Sequence, residues 1–146
     1  MGIEKEHKYL VRSDEYKAAA HSRYSIRQGY LSRNPDSVVR VRTRDDKGFL
    51  TVKGRNTGDT RQEFEYEIPL ADAEQMLALC QGTIIDKTRF IISYKGHIWE
   101  VDEFHGLHKG LVIAEIELAA DNEGYTLPPW VGENVTGNPA YYNSNM

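Results

Sequence analysis

Charged side chains recur two residues apart in short segments of this sequence, and nearly every segment is of one sign. Glu4, Glu6 and Lys8 are in step, as are Arg40, Arg42 and Arg44, with Lys53 further on. Glu63, Glu65 and Glu67 follow, then Lys87 and Arg89, Glu100 and Asp102, and finally Glu115 and Glu117. Carboxylates that converge are hard oxygen ligands, suited to Mg²⁺ or Mn²⁺ rather than to a soft metal. Arg and Lys bind phosphate oxygens, Arg as a bidentate fork and Lys as a point charge. Brought together, the two sets describe a site for a chain of phosphates with metal. A charge pair at about 4 Å is worth roughly 4 kcal/mol at an effective dielectric near 20, so several could hold a tetra- or penta-anion. Phosphoryl transfer is mostly positioning and charge neutralisation, so no separate protein nucleophile is required.

The two-residue period identifies the elements that carry these groups, because alternate residues of a strand share a face. The intervening positions are apolar at Val39, Val41, Phe64, Tyr66, Ala114, Ile116 and Leu118. Strands are predicted over about 2–12, 24–32, 37–44, 48–55, 61–68, 83–94, 97–105 and 110–118. Asp45-Asp46-Lys47-Gly48 and Lys95-Gly96 read as tight hairpin turns, and Asn56-Thr57-Gly58-Asp59 as a looser one. Eight strands at hairpin spacing suggest a barrel or a strongly curled sheet. Ser13 can cap a helix over about 14–22. A second helix over 70–80 puts Ala73, Met76, Leu77 and Cys80 on one face. Pro128-Pro129-Trp130-Val131 starts a short third helix, and 138–143 adds another turn or two. The fold class is α+β.

Taken singly, each charged strand is an amphipathic strand with one wetted face, as antiparallel sheets commonly have. Taken together they are nearly pure in sign, and like charges repel across a shared face. If the sheet closes with that face inward, its interior holds a carboxylate cluster beside a basic one.

The 146 residues are one domain's worth of chain, expected to form a single unit over 1–146. Hydrophobic residues make up 40% and charged ones 27%, an ordinary globular balance, and the net charge is −4. That acidic excess argues against nucleic acid and anionic membranes as partners. The lone Cys80 excludes a disulfide framework and a thiolate zinc site. There is no apolar run of transmembrane length and no signal-peptide core, so a cytoplasmic protein is expected. His7 falls out of step with the charged face and should point outward. His105-Gly106-Leu107-His108 reads as a polar loop rather than a metal clip.

In order along the chain, these residues resemble a known family, the CYTH domain or triphosphate tunnel metalloenzymes. Glu4-x-Glu6-x-Lys8 is similar to its ExExK signature. Gly29-Tyr30-Leu31, Arg40-Val41-Arg42, Thr51-Val52-Lys53-Gly54 and Glu63-x-Glu65 follow. Asp86-Lys87-Thr88-Arg89, Trp99-Glu100-Val101-Asp102-x-Phe104, Ala114-Glu115-Ile116-Glu117-Leu118 and a Pro129-Trp130 to Thr136 tail complete the set. The resemblance implies an eight-stranded antiparallel β-barrel, a tunnel with flanking helices, that binds triphosphate with divalent metal. Carried over by position, Glu4, Glu6, Asp102, Glu115 and Glu117 bind metal, and Glu63 and Glu65 join that acidic set. Lys8, Arg40, Arg42, Lys53 and Arg89 hold the triphosphate, with Lys87 a lesser member.

In short bacterial members a Lys–Tyr pair activates the attacking water, which here maps to Lys8 and Tyr30. A lysine among cations has its pKa pushed down, so Lys8 is expected to share or accept a proton near neutral pH. Family members often run past the point where Asn143-Ser144-Asn145-Met146 ends, so one tunnel mouth is expected to be more open. The expected activity is metal-dependent hydrolysis of inorganic tripolyphosphate. The rivals are a class IV adenylyl cyclase, a thiamine or nucleoside triphosphatase, and a non-catalytic polyphosphate-binding module. The expected partner is a small triphosphate, and a homodimer is left open.

Overall fold

Alternation at period two becomes a closed antiparallel ring in the structure, a computed structural model that describes residues 2–120 and 123–146. Its strands are β1 (Ile3–Val11), β2 (Ser22–Ser32), β3 (Val38–Arg44), β4 (Lys47–Lys53) and β5 (Thr60–Ile68). After them come β6 (Gln81–Tyr94), β7 (His97–Phe104), β8 (Val112–Glu117) and a short β9 (Val131–Asn134). Neighbours run β5-β4-β3-β2-β6-β7-β8-β1, and β1 returns to β5 to close the barrel. The hairpin turns need positive φ, which Lys95 and Gly96 adopt at 50° and 84° and Asp45 at 51°. Such turns match the twist of the strands they join.

The helices are fewer and shorter than the sequence suggests. α1 covers only Tyr16–Ala19, and Glu15, the residue before it, provides no side-chain cap. Strand pairing wins at its far end, where Ser22 is already in register with Ile91 of β6. α2 runs from Leu70 to Leu79, close to expectation, and buries Ala73 and Leu77. The predicted helix at Pro128–Val131 is instead the lead into β9, which pairs with Tyr9 and Val11 of β1. Its residues find backbone partners on β1 that a local helical reading could not anticipate. The last segment forms two 3₁₀ turns, Pro139–Tyr141 and Asn143–Asn145.

The barrel is apolar on much of its outer surface and charged within. One cluster joins Tyr9, Phe90, Trp99, Val101, Ala114 and Ile116 of the strands to Tyr16 of α1 and to Trp130. A second packs Ala73 and Leu77 of α2 over Val41. His7 points outward as expected, and its ring bonds Asp59 and the Tyr125 hydroxyl. Fully burying one large apolar side chain contributes about 1.5–3 kcal/mol, so these outer layers carry the fold and free the lumen for charge. A third cluster, with Tyr30, Ile85, Phe104 and Ile113, receives Tyr141 and Met146 from the C-terminal segment. The chain's own tail thus packs onto one side of the barrel. Among the described residues no helix is long and apolar enough to cross a membrane.

Candidate active site

The lumen contains a cavity of about 210 Å³ whose lining includes Glu6, Arg42 and Glu117. Strand parity puts them there, and the convergence expected from the sequence is thus met for all three. Glu6 on β1 is directly opposite Glu117 on β8, a like-charge pair that costs energy. Among the described residues neither makes an ion pair. Burial, with Glu115 and Glu4 nearby, pushes Glu6 up to about 8. Burial together with Glu4 and Glu63 pushes Glu117 up to about 7. Glu63 is raised by burial and by Glu4.

The other carboxylates are engaged by cations. Lys53 Nζ is 3.1 Å from Glu4 and 3.4 Å from Glu63. Arg40 reaches Glu65 at 3.2 Å, and the Thr51 hydroxyl donates to the same carboxylate at 2.9 Å. Lys8 pairs with Glu115 at 3.3 Å and donates to the Tyr141 carbonyl. Glu115 also receives Arg89 at 3.6 Å. Lys8 and Arg89 outweigh burial and hold Glu115 down to about 2.

Asp102 differs from what its position in the motif implies. It is 2% exposed, and Lys87 Nζ and Arg89 Nε reach its two oxygens at 2.7 Å each. Both oxygens are engaged by cations, and its side chain is not part of the cavity lining. Its geometry is that of a counter-ion to two cations. Lys8 also departs from expectation. Burial opposes its charge, yet Glu115 and Glu6 outweigh that and raise it above the ordinary lysine range. It is the lysine among carboxylates; the lysine among cations is Lys87. Burial, with Arg89 and Arg42 beside it, pushes Lys87 down to about 7 against the pull of Asp102. Tyr30 lines the cavity, and its hydroxyl accepts from Gln28 at 3.1 Å, with no acceptor for its own hydrogen among the described residues.

Two cationic groups have spare capacity. Arg40 Nε is buried without a hydrogen-bond partner. Arg42 is the one expected substrate cation with no ion pair among the described residues; burial, Arg40 and Arg89 lower it to about 9. Buried polar groups are normally satisfied, so such vacant donors fit a site that receives an anion. The cavity also draws on residues for which the sequence implied no site role, among them Arg61, Glu100, Tyr142 and Asn143. Asn143 Oδ1 accepts from Lys87 Nζ at 2.8 Å. Glu100 was visible by its alternation, but nothing in the tail's spacing marks Tyr142 or Asn143.

A closed antiparallel barrel whose lumen is lined by clustered carboxylates and guanidinium groups defines a class of protein, the charged β-barrel tunnels. More particularly, the chain matches the CYTH domain over residues 2–143 and belongs to that family. An inorganic triphosphatase of Acetivibrio thermocellus is 49% identical over 147 residues, spanning 100% of this chain and 94% of that protein. An inorganic triphosphatase of Nitrosomonas europaea is 32% identical over 125 residues, 83% of this chain and 82% of its own length. The crystal structure of the inorganic triphosphatase NE1496 superposes with a TM-score of 0.65 at 28% identity, covering 97% of this chain and 91% of that one.

Proposed function

We propose that this chain hydrolyses inorganic tripolyphosphate with the help of Mg²⁺ or Mn²⁺. The observation that carries the reading is the co-location in one cavity of Glu6, Glu117 and Arg42, none of which has an ion-pair partner among the described residues. Two families of charge, each lacking a partner, are complementary to a metal–polyphosphate complex. Divalent-metal dependence is general among CYTH triphosphatases.

The donor set fits a hard cation, being all carboxylate oxygen. Among the described residues no three acidic or imidazole groups form a ready-made cage. Mg²⁺ is commonly held by one or two carboxylates, with waters and substrate phosphates completing its shell, so Glu6 and Glu117 would suffice, with Glu4 and Glu63 close behind. Bound there, the ion would neutralise and polarise phosphate oxygens. Arg40, Arg42, Lys53 and Arg89 would grip the chain of phosphates. Asp102 and Lys87 would brace Arg89, and Glu65 and Glu115 would fix Arg40 and Lys8. Lys8 would act as a fixed ammonium donor rather than a proton acceptor, and Tyr30 would donate from its free hydroxyl hydrogen to orient the attacking water.

Phosphate release from tripolyphosphate, ATP, thiamine triphosphate and longer polyphosphates, with and without metal, tests this. Metal-dependent release that is fastest with tripolyphosphate is expected. Tight binding without release would make the chain a capture module, and equal rates with ATP would remove the substrate preference.

A further inference from the structure

Gln28 on β2 is fully buried, with 0% exposure, and it sits behind the cavity lining rather than in it. Its register partner on β3 is Arg42. Arg42 donates to Gln28 Oε1 twice, from Nε at 2.8 Å and from Nη2 at 2.6 Å. A guanidinium has donors only, so the amide must present its oxygen to Arg42 and its nitrogen to the other side. There Nε2 donates to the Tyr30 hydroxyl and to Asn143 Oδ1, both at 3.1 Å. One amide thus serves a cation, a hydroxyl and the C-terminal tail, with its hydrogen-bonding capacity spent.

The neighbouring cations are oriented differently. Arg40, Lys53, Lys8, Lys87 and Arg89 are each held by a carboxylate. Arg42 is held by a neutral group. A carboxylate in the same place would orient the fork equally well but would cancel its charge. An amide orients it and leaves the charge uncompensated, with the remaining N–H groups available to the lumen.

From this we infer that Gln28 is a positioning residue for triphosphate binding: it aligns Arg42 while leaving its positive charge unneutralised for the phosphate chain. The inference rests on the triphosphate reading above and adds a residue whose neutrality, rather than its size, sets substrate affinity.

Gln28→Glu and Gln28→Met separate charge from shape. Gln28→Glu keeps the acceptor for Arg42 but supplies a counter-ion, and KM for tripolyphosphate should rise about tenfold with kcat within about threefold of wild type. Gln28→Met keeps the volume and adds no charge, so its KM should rise only about threefold, although it leaves Arg42, Tyr30 and Asn143 short of partners. Melting temperatures without ligand should run the other way, with the Met variant the less stable. A purely structural role would make KM follow stability instead. In an Arg42→Gln background, Gln28→Glu should change KM less than twofold.

A KM within twofold of wild type for Gln28→Glu overturns the inference. So does an undiminished effect in the Arg42→Gln background, or a KM loss for Gln28→Met equal to that of Gln28→Glu. If Gln28→Glu does not fold, Gln28→Met decides: an unchanged KM refutes the role, and a rise at constant kcat upholds it. If the wild-type protein releases no phosphate, the triphosphatase reading alone fails. The calorimetric Kd for tripolyphosphate then takes the place of KM in the same comparison.

Discussion

Glu6 and Glu117 face each other across β1 and β8 with no cation paired to either among the described residues, and both are held well above the usual carboxylate range. Asp102, in the same barrel, has Lys87 and Arg89 on its oxygens and is held well below that range. Identical chemistry in the sequence thus produces two states. One part of the barrel is internally neutralised and acts as scaffold. The other is left out of balance, and only a ligand from outside can correct it. Removing a partner from a balanced buried pair strands a charge, whereas removing a charge from an unbalanced cluster relieves repulsion.

The largest effect should come from Asp102→Asn. It leaves Lys87 and Arg89 uncompensated and should cost about 3–5 kcal/mol of stability, read from urea denaturation. A loss below about 1 kcal/mol would erase the contrast between the two regions.

Next come Glu6→Gln and Glu117→Gln, which should lower phosphate release about 100-fold or more, comparable to losing a group that acts on the reacting charge. The metal-free melting temperature should hold or rise. Full activity in both would count against a metal there. These groups also set a pH dependence with a definite sign. Their folded-state pKa values lie above the ordinary 4.5, so between about pH 5 and 8 the folded state binds more protons than the unfolded one. Metal-free stability should therefore fall as pH rises through that window. Divalent-ion affinity should climb over the same window, since the ion needs deprotonated ligands. Either substitution should flatten both slopes, and calorimetry at several pH values checks this.

A smaller contrast divides two cations. Arg40→Ala should raise KM about tenfold, because its vacant Nε is an anion donor, while Lys8→Ala should lower kcat mainly. Comparable changes in both parameters for both variants would dissolve that division of labour.

Much of this was legible in the residues. The two-residue period locates eight strands nearly to their ends, and sign purity along Arg40–Arg42 and Glu115–Glu117 marks the lumen face. What escaped the sequence depended on partners distant in the chain. Val131–Asn134 follows two prolines and reads as a helix start, but β1 offers it a ladder. Lys8 follows two glutamates in sequence, yet its charge state is set by Glu115 on β8. Asp102 looks like another acidic ligand until Lys87 and Arg89 are seen on its oxygens. Gln28 went unmarked, although it is in step with Ile26 and Tyr30, both of which are buried.

β1 and β5 meet over three register pairs, Ile3 with Gln62, Glu4 with Arg61 and Lys5 with Thr60, whereas β6 and β7 share a ladder from Lys87–Phe104 to Tyr94–His97. Joining β1 to β5 closes a loop of more than fifty residues for only three ladder pairs, a poor return on its entropic cost. The ring should therefore shut last and part first along this seam. Glu4 is at its middle, so the mutual repulsion of the acidic side chains is deferred until the rest of the sheet can withstand it. Amide protons of Glu6 and Glu63, bonded across the seam to Asp59 and Gly2, should exchange with deuterium ahead of those in β6 and β7. Equal protection would mean that the barrel opens elsewhere.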